Sequence, residues 1–376
     1  MSRYLDTLTH PSAGEPPPLP VVDYRRVDCR GPRPLTIADP APADHLPEAD
    51  DVVVTWTEAE WSALDQVFAG YQYPRPPAAR EWQRDWHLFS RDNHPTTGSD
   101  QRTGPLWGWY RLVDVFGPGG GSRRVLLLKS DSHLAHPPWF AGLTQLVTSV
   151  LKDTRAATIY SVGTAGAGHP DQQLGEVVVT NAGHLELKDE HNADTGIDGQ
   201  TFTCPGAFPA LTMLDPAATH LMSPLSGVAT FPRLEALLAT LHRDVPQAQG
   251  ITLPDLVTDA TDPRQLHHPR TSPVPGKPLL TTDYYYIDDG TGPGRWAVLE
   301  MDDTVVGYVA GGIGVDYVFV RNVSDPVVPA TTRAGVAIPD EVRSHWSSLI
   351  YTAFGLYTSF NGAVTSWATI AAGADR

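Results

Sequence analysis

Residues 296–329 read WAVLEMDDTVVGYVAGGIGVDYVFVRNVSDPVVP, and the succession of residue types in that stretch decides the fold. Asp302 and Asp303 open an apolar run over 302–310, a helix whose first turn favours carboxylates through the macrodipole. Gly311-Gly312 closes that helix, and the β-branched and aromatic run 315–323 follows as a strand. An acidic cluster (Glu300, Asp302, Asp303) thus precedes the helix, and Arg321, Ser324 and Asp325 end the strand. Polar chemistry gathered at the ends of apolar elements is the signature of a layered α/β domain that binds ligands at strand ends.

Working outward, the same alternation recurs. Val52-Val53-Val54 is a short strand, and Thr57 with Glu60 forms a Thr-x-x-Glu capping box before Trp61, Leu64, Val67 and Phe68 at helical spacing. Residues 70–105 read as loop, and the strand-like runs 107–115 and 124–129 flank the turn GPGGGS. Trp139 to Leu151 is helical, the strand 157–162 runs into a Gly-rich loop GTAGAG (163–168), and 176–180 is again a strand. A helix at 231–243, a Pro-rich stretch 244–278, the strand LLTTDYYYI (279–287) and a helix opening at Pro339-Asp340 complete the pattern.

Composition narrows the function classes. A formal charge of −16 over 376 residues excludes a nucleic-acid-coating role, and no apolar run approaches a membrane span of roughly 20 residues. The expected partner is a small molecule. Cys29 and Cys204 form no CxxC, and the start of the chain lacks a charged region followed by an apolar one, which together predict a reduced, cytoplasmic protein. Residues 1–50 are rich in proline and read as an arm outside the folded domain. His133 and His136, like His267-His268, lack zinc-ligand spacing, so no metal and no cofactor is expected.

The succession TWTEAEWSAL, VLLLKS, SVGTAGAG, QLGEVVVTNAG, LLTTDYYYI, LEMDD and VFVRNVSD resembles the nucleoside phosphorylase superfamily, and within it the 5′-methylthioadenosine/S-adenosylhomocysteine nucleosidase branch. The likeness covers about residues 51–370, with 244–278 as an insertion in a 51–376 catalytic domain. It implies a three-layer fold with a central mixed sheet flanked by helices, assembly as a homo-oligomer, and cleavage of the N-glycosidic bond of a purine nucleoside or nucleotide. It also implies roles. Asp325 is the acid that protonates the purine at N7, and Glu60 orients or deprotonates the attacking water. Glu300, Met301 and Asp302 match a Glu-Met-Glu segment whose last carboxylate grips ribose hydroxyls, here one methylene shorter. Arg321 and Ser324 support the site, Thr164, Ala165 and Gly166 lie at sugar and base, and Tyr285 with Tyr286 face the purine. Departures are Pro326 after Asp325, Thr304-Val305 where small residues are usual, and KSDSHLAH in place of a Ser-Gly-Ile-Gly turn. TWTEAEW carries no Gly-Asp-Pro-x-Arg phosphate loop, which implies hydrolysis, with phosphorolysis or a silent nucleoside-binding domain as alternatives.

Each position also has a plainer reading from the residues alone. Glu60 is the third residue of a capping box, Asp325 a turn residue before proline, and Asp303 a carboxylate drawn by the helix dipole. Arg321 needs a partner, and Glu300 would serve. Tyr284–Tyr286 alternate as on any strand, and Lys129, Ser130, His133 and His136 read either as a surface loop or as a receiver for a 5′-phosphate.

Overall fold

The computed structural model describes residues 19–38, 40, 44–70, 85–90, 106–209, 233–267, 270–288 and 294–376. The chain runs β1 (Arg33–Pro34), β2 (Asp51–Thr55), α1 (Glu58–Ala69), β3 (His87–Ser90), β4 (Leu106–Phe116), β5 (Ser122–Ser130) and α2 (Trp139–Thr154). It continues through β6 (Thr158–Ala167), β7 (Val177–Thr180), β8 (Ala182–Glu186), β9 (Thr201–Thr203), α3 (Leu234–Asp244) and α4 (Leu253–Leu256). Last come β10 (Thr271–Pro273), β11 (Leu279–Thr282), β12 (Val298–Glu300), α5 (Asp303–Gly312), β13 (Asp316–Asp325) and α6 (Asp340–Gly373).

Side-chain alternation sorts these elements into three layers. Val53, Val125, Leu127, Val318 and Val320 face α1, α3 and α6, whereas Val52, Val54, Leu126, Leu128 and Phe319 face α2 and α5. Because neighbouring residues on a strand point to opposite faces, both faces of a sheet covered by helices must be apolar, as here. The result is an α/β fold with a large mixed sheet between two helical layers. β2 lies between β5 and β6 and is parallel to both, and β13 is parallel to β6 on its other side. The C-terminal ends of these four strands therefore open on one edge, the edge where such sheets take ligands.

Three expectations are corrected: residues 87–90, inside the stretch 70–105 read as loop, form β3, which β4 holds as its antiparallel partner. GTAGAG is no loop: residues 163–167 continue β6, paired with β13 as far as Gly166. Glycine serves close approach here, since a Cβ on Gly163 would stand 2.5 Å from Arg321 Nη1 and 2.8 Å from Glu60 Oε1. The LLTTDYYYI strand stops at Thr282, because the Asp283 carboxylate accepts the backbone N–H groups of Lys188 (2.8 Å) and Asp189 (3.0 Å) and turns the chain.

The capping box at α1 forms as expected, with Thr57 Oγ1 accepting from Glu60 N at 3.3 Å and Glu60 Oε2 accepting from Thr57 N at 2.9 Å. Of the Pro-rich arm, β1 pairs with β4, and the Tyr24 ring meets Trp367 of α6 edge-on at 4.7 Å. In the stretch 244–278, β10 pairs in parallel with β7. Most of 70–105, residues 231–232 and His268 lie outside the described residues. Among the described residues no helix is long and apolar enough to cross a membrane.

Candidate active site

A buried charge cluster occupies the C-terminal edge of the sheet. Arg321, near the end of β13, sends Nε to Asp303 Oδ2 (2.8 Å) and Nη2 to the other Asp303 oxygen, to Ser161 Oγ (3.1 Å) and to Glu300 Oε2 (3.3 Å). Its Nη1 donates to the Thr164 carbonyl at 3.2 Å, and the guanidinium lies 5.0 Å from the Trp56 ring. Asp303, read from sequence as a dipole-drawn carboxylate, is thus the main partner of Arg321, and Glu300 comes second. The first turn of α5 aims Asp303 down onto the sheet, where it is fully buried. Burial and the neighbouring Asp303 push Glu300 above the usual carboxylate range against the pull of Arg321.

Glu60 and Glu300 are both saturated. Glu60 Oε2 accepts from Thr55 Oγ1 (2.8 Å), Trp56 N (3.0 Å) and Thr57 N (2.9 Å), and Oε1 accepts from Thr164 N (2.7 Å) and Thr164 Oγ1 (2.8 Å). Burial alone would raise its pKa, but Arg321 and the backbone donors outweigh that and hold it below the ordinary value. The capping-box reading of Glu60 therefore holds, and the same carboxylate also ties α1 to β6. Glu300 accepts from Asp302 N (2.6 Å), Asp303 N (2.9 Å) and the Thr281 hydroxyl, capping α5 in the same manner.

Asp302 is held by the loop that replaces the expected Gly-rich turn. Its Oδ1 accepts from Leu134 N at 2.9 Å, and His133 Nε2 lies 3.2 Å from Oδ2. His133 Nδ1 accepts from Ala135 N, so in the neutral ring Nε2 carries the hydrogen and points it at Asp302. Burial lowers His133 to about 4 and pushes Asp302 up to about 8 against these donors. Lys129 is paired with Asp131. The segment read as a surface loop or as a receiver for a 5′-phosphate thus has Lys129 committed to Asp131 and a half-buried His133 facing Asp302.

Asp325 differs from the other acids. It ends β13 opposite Gly166, and its buried Oδ1 has no hydrogen-bond partner. Burial raises it to about 7, opposed only by Ser324. It lines a narrow cleft with Gly166, Tyr286 and Pro326. Tyr285 is 49% exposed as a residue, yet its hydroxyl donates to Ser347 Oγ on α6 at 2.8 Å.

The structure thus gathers Glu60, Thr164, Glu300, Asp302 and Arg321 into one network, and places Ala165, Gly166, Ser324, Asp325 and Tyr286 beside it. Ser324 Oγ donates to the Ala165 carbonyl at 3.3 Å, and Met301 sits half-buried between its acidic neighbours. Ser161, Thr281 and Tyr351 join the cluster with no mark in the sequence beyond a polar residue inside an apolar element. No group of three or more His, Cys, Asp or Glu is placed to hold a metal ion among the described residues.

No family model matches the chain, and no curated protein does. Solved nucleosidases are similar to it. The 5′-methylthioadenosine/S-adenosylhomocysteine nucleosidase of Neisseria meningitidis, in complex with methylthio-immucillin-A, is 12% identical at a TM-score of 0.40, covering 86% of this chain and 99% of that one. The S-adenosylhomocysteine nucleosidase of Streptococcus pyogenes, in complex with 5-methylthiotubericidin, is 12% identical at a TM-score of 0.44, covering 87% and 98%. Futalosine hydrolase of Helicobacter pylori is 11% identical at 0.39, covering 84% and 97%. These proteins are of the kind that the motif order resembles; what this site does rests on the chain's own residues.

Proposed function

We propose that this chain hydrolyses the N-glycosidic bond of a purine nucleoside or nucleotide, with Asp325 as the general acid. The observation that carries the reading is Asp325 itself: a carboxyl whose buried Oδ1 has no hydrogen-bond partner and which burial pushes up to about 7, in a narrow cleft at the C-terminal edge of the sheet. A carboxyl near 7 is protonated often enough to donate and acidic enough to let the proton go. Protonation of N7 makes the base a neutral leaving group, the C1′–N bond breaks as positive charge grows on the sugar, and water supplies the new C1′–O bond. The water's surplus proton returns to solvent.

Within this reading Glu60 orients the water at Oε1, where the rotatable Thr164 hydroxyl now donates, and Arg321 keeps Glu60 ionised. Asp302 and Glu300 take the ribose hydroxyls, Asp302 once His133 and Leu134 yield their places on it and Glu300 once the Thr281 hydroxyl turns away from it. Tyr286 and Gly166 border the base. Water rather than phosphate is the acceptor, because Arg321 and Lys129 are committed to carboxylates instead of standing free for a dianion. The two free cysteines suit action in the cytoplasm.

The test incubates the purified protein with adenosine, inosine, methylthioadenosine, AMP and ATP, with and without phosphate, and separates free base chromatographically. Base release independent of phosphate is expected. Release only with phosphate would make the protein a phosphorylase, and ligand-induced stabilisation without any cleavage would make it a binding domain.

A further inference from the structure

Of the buried polar atoms that lack partners beside this site, two are oxygens contributed by different elements. One is Asp325 Oδ1 on β13; the other is the Tyr351 hydroxyl on α6, buried with no hydrogen bond. The phenol lies beside the Thr57 and Thr164 hydroxyls without bonding geometry to either, and close enough to Glu60 and Asp325 for both carboxylates to oppose its ionisation. Ser347, one helical turn earlier on the same face of α6, holds the Tyr285 hydroxyl. α6 thus brings two hydroxyl-bearing side chains to this part of the molecule, and the Tyr351 hydroxyl has nothing to donate to. A buried donor left unpaired destabilises the free protein, so a fold keeps one chiefly where something else supplies the acceptor.

We propose that Tyr351 is a substrate-binding residue of this site, donating its phenolic hydrogen to a hydroxyl oxygen held between Asp325 and Glu60. That oxygen belongs to a ribose hydroxyl or to the attacking water, which share the chemistry of a neutral acceptor. The inference rests on the hydrolase reading for the identity of the ligand, while the orphaned donor stands without it.

Tyr351→Phe is the probe, because it removes an oxygen that bonds to nothing in the free protein. A merely structural tyrosine would lose stability on the change; here the melting temperature is expected to stay or rise. Activity on a ribonucleoside is expected to fall on the order of tenfold, the worth of one hydrogen bond. If the acceptor is the ribose, KM rises on the ribonucleoside but not on its 2′-deoxy counterpart. If it is the water, kcat falls on both with KM unchanged. Unchanged kcat and KM on both substrates would overturn the proposal, as would a loss of activity matched by a drop of several degrees in melting temperature. Should the wild-type protein cleave no nucleoside, the hydrolase reading fails separately. Calorimetric titration with adenosine then decides: roughly tenfold weaker binding by the variant supports Tyr351 as a ligand contact, and equal affinity refutes it.

Discussion

A carboxyl kept protonated by burial makes opposite demands on activity and on stability, and Asp325 shows both. Its folded value of about 7 stands against an ordinary value of 3.8, so the native state holds a proton that the unfolded chain has already lost between those limits. The sign follows by linkage: this stabilisation is full below about 4 and is lost as pH rises through 7. Asn at the same position carries no charge at any pH. Asp325→Asn is therefore expected to gain stability on the wild type progressively as pH rises from about 4 to 8, as read from urea unfolding at both ends of that range. Equal stability at pH 8 would mean that Asp325 is solvated or paired, and with that the poised acid would be gone.

At the scale of elements, β6 is set by what presses on it rather than by local propensity, whereas α5 follows its local capping and apolar period. Gly163→Ala drives a Cβ into Arg321 Nη1 at 2.5 Å and Glu60 Oε1 at 2.8 Å, which is expected to cost about 1–3 kcal/mol and to abolish most base release. Gly311→Ala, near the end of α5, meets only the Tyr317 ring at 3.5 Å and is expected to be neutral or stabilising. Paired denaturation curves of the two variants decide whether the glycines differ in this way. The contrast explains what could be read beforehand. The α1 start, the α5 helix, the β13 strand and the α6 start were legible because capping and apolar period are local. GTAGAG misled because glycine marks a turn and a close approach with the same letter, and Arg321 lies 158 positions away. Arg321 was legible as a charge needing a partner, yet the choice of Asp303 over Glu300 depends on how the first turn of α5 faces the sheet. Tyr351 gives no signal at all, since an aromatic at helical spacing reads as core.

On the scale of the whole molecule, α6 joins the site to the core. Its fully buried Trp367 meets Tyr24 of the N-terminal region, while on the same helix Ser347 holds the Tyr285 hydroxyl and Tyr351 lies near Glu60 and Asp325. Trp367→Ala is expected to cost about 3–5 kcal/mol in guanidinium unfolding. The central claim is that the chain cleaves nucleosides through a protonated Asp325. The most direct measurement is free-base release from a purine nucleoside, without phosphate, by the wild type and Asp325→Asn between pH 5 and 9. The account predicts wild-type release that falls as pH rises through about 7, and a variant slower by roughly 10²- to 10⁴-fold with no such fall. A variant as active as the wild type, or a wild type whose rate climbs through that range, would contradict it.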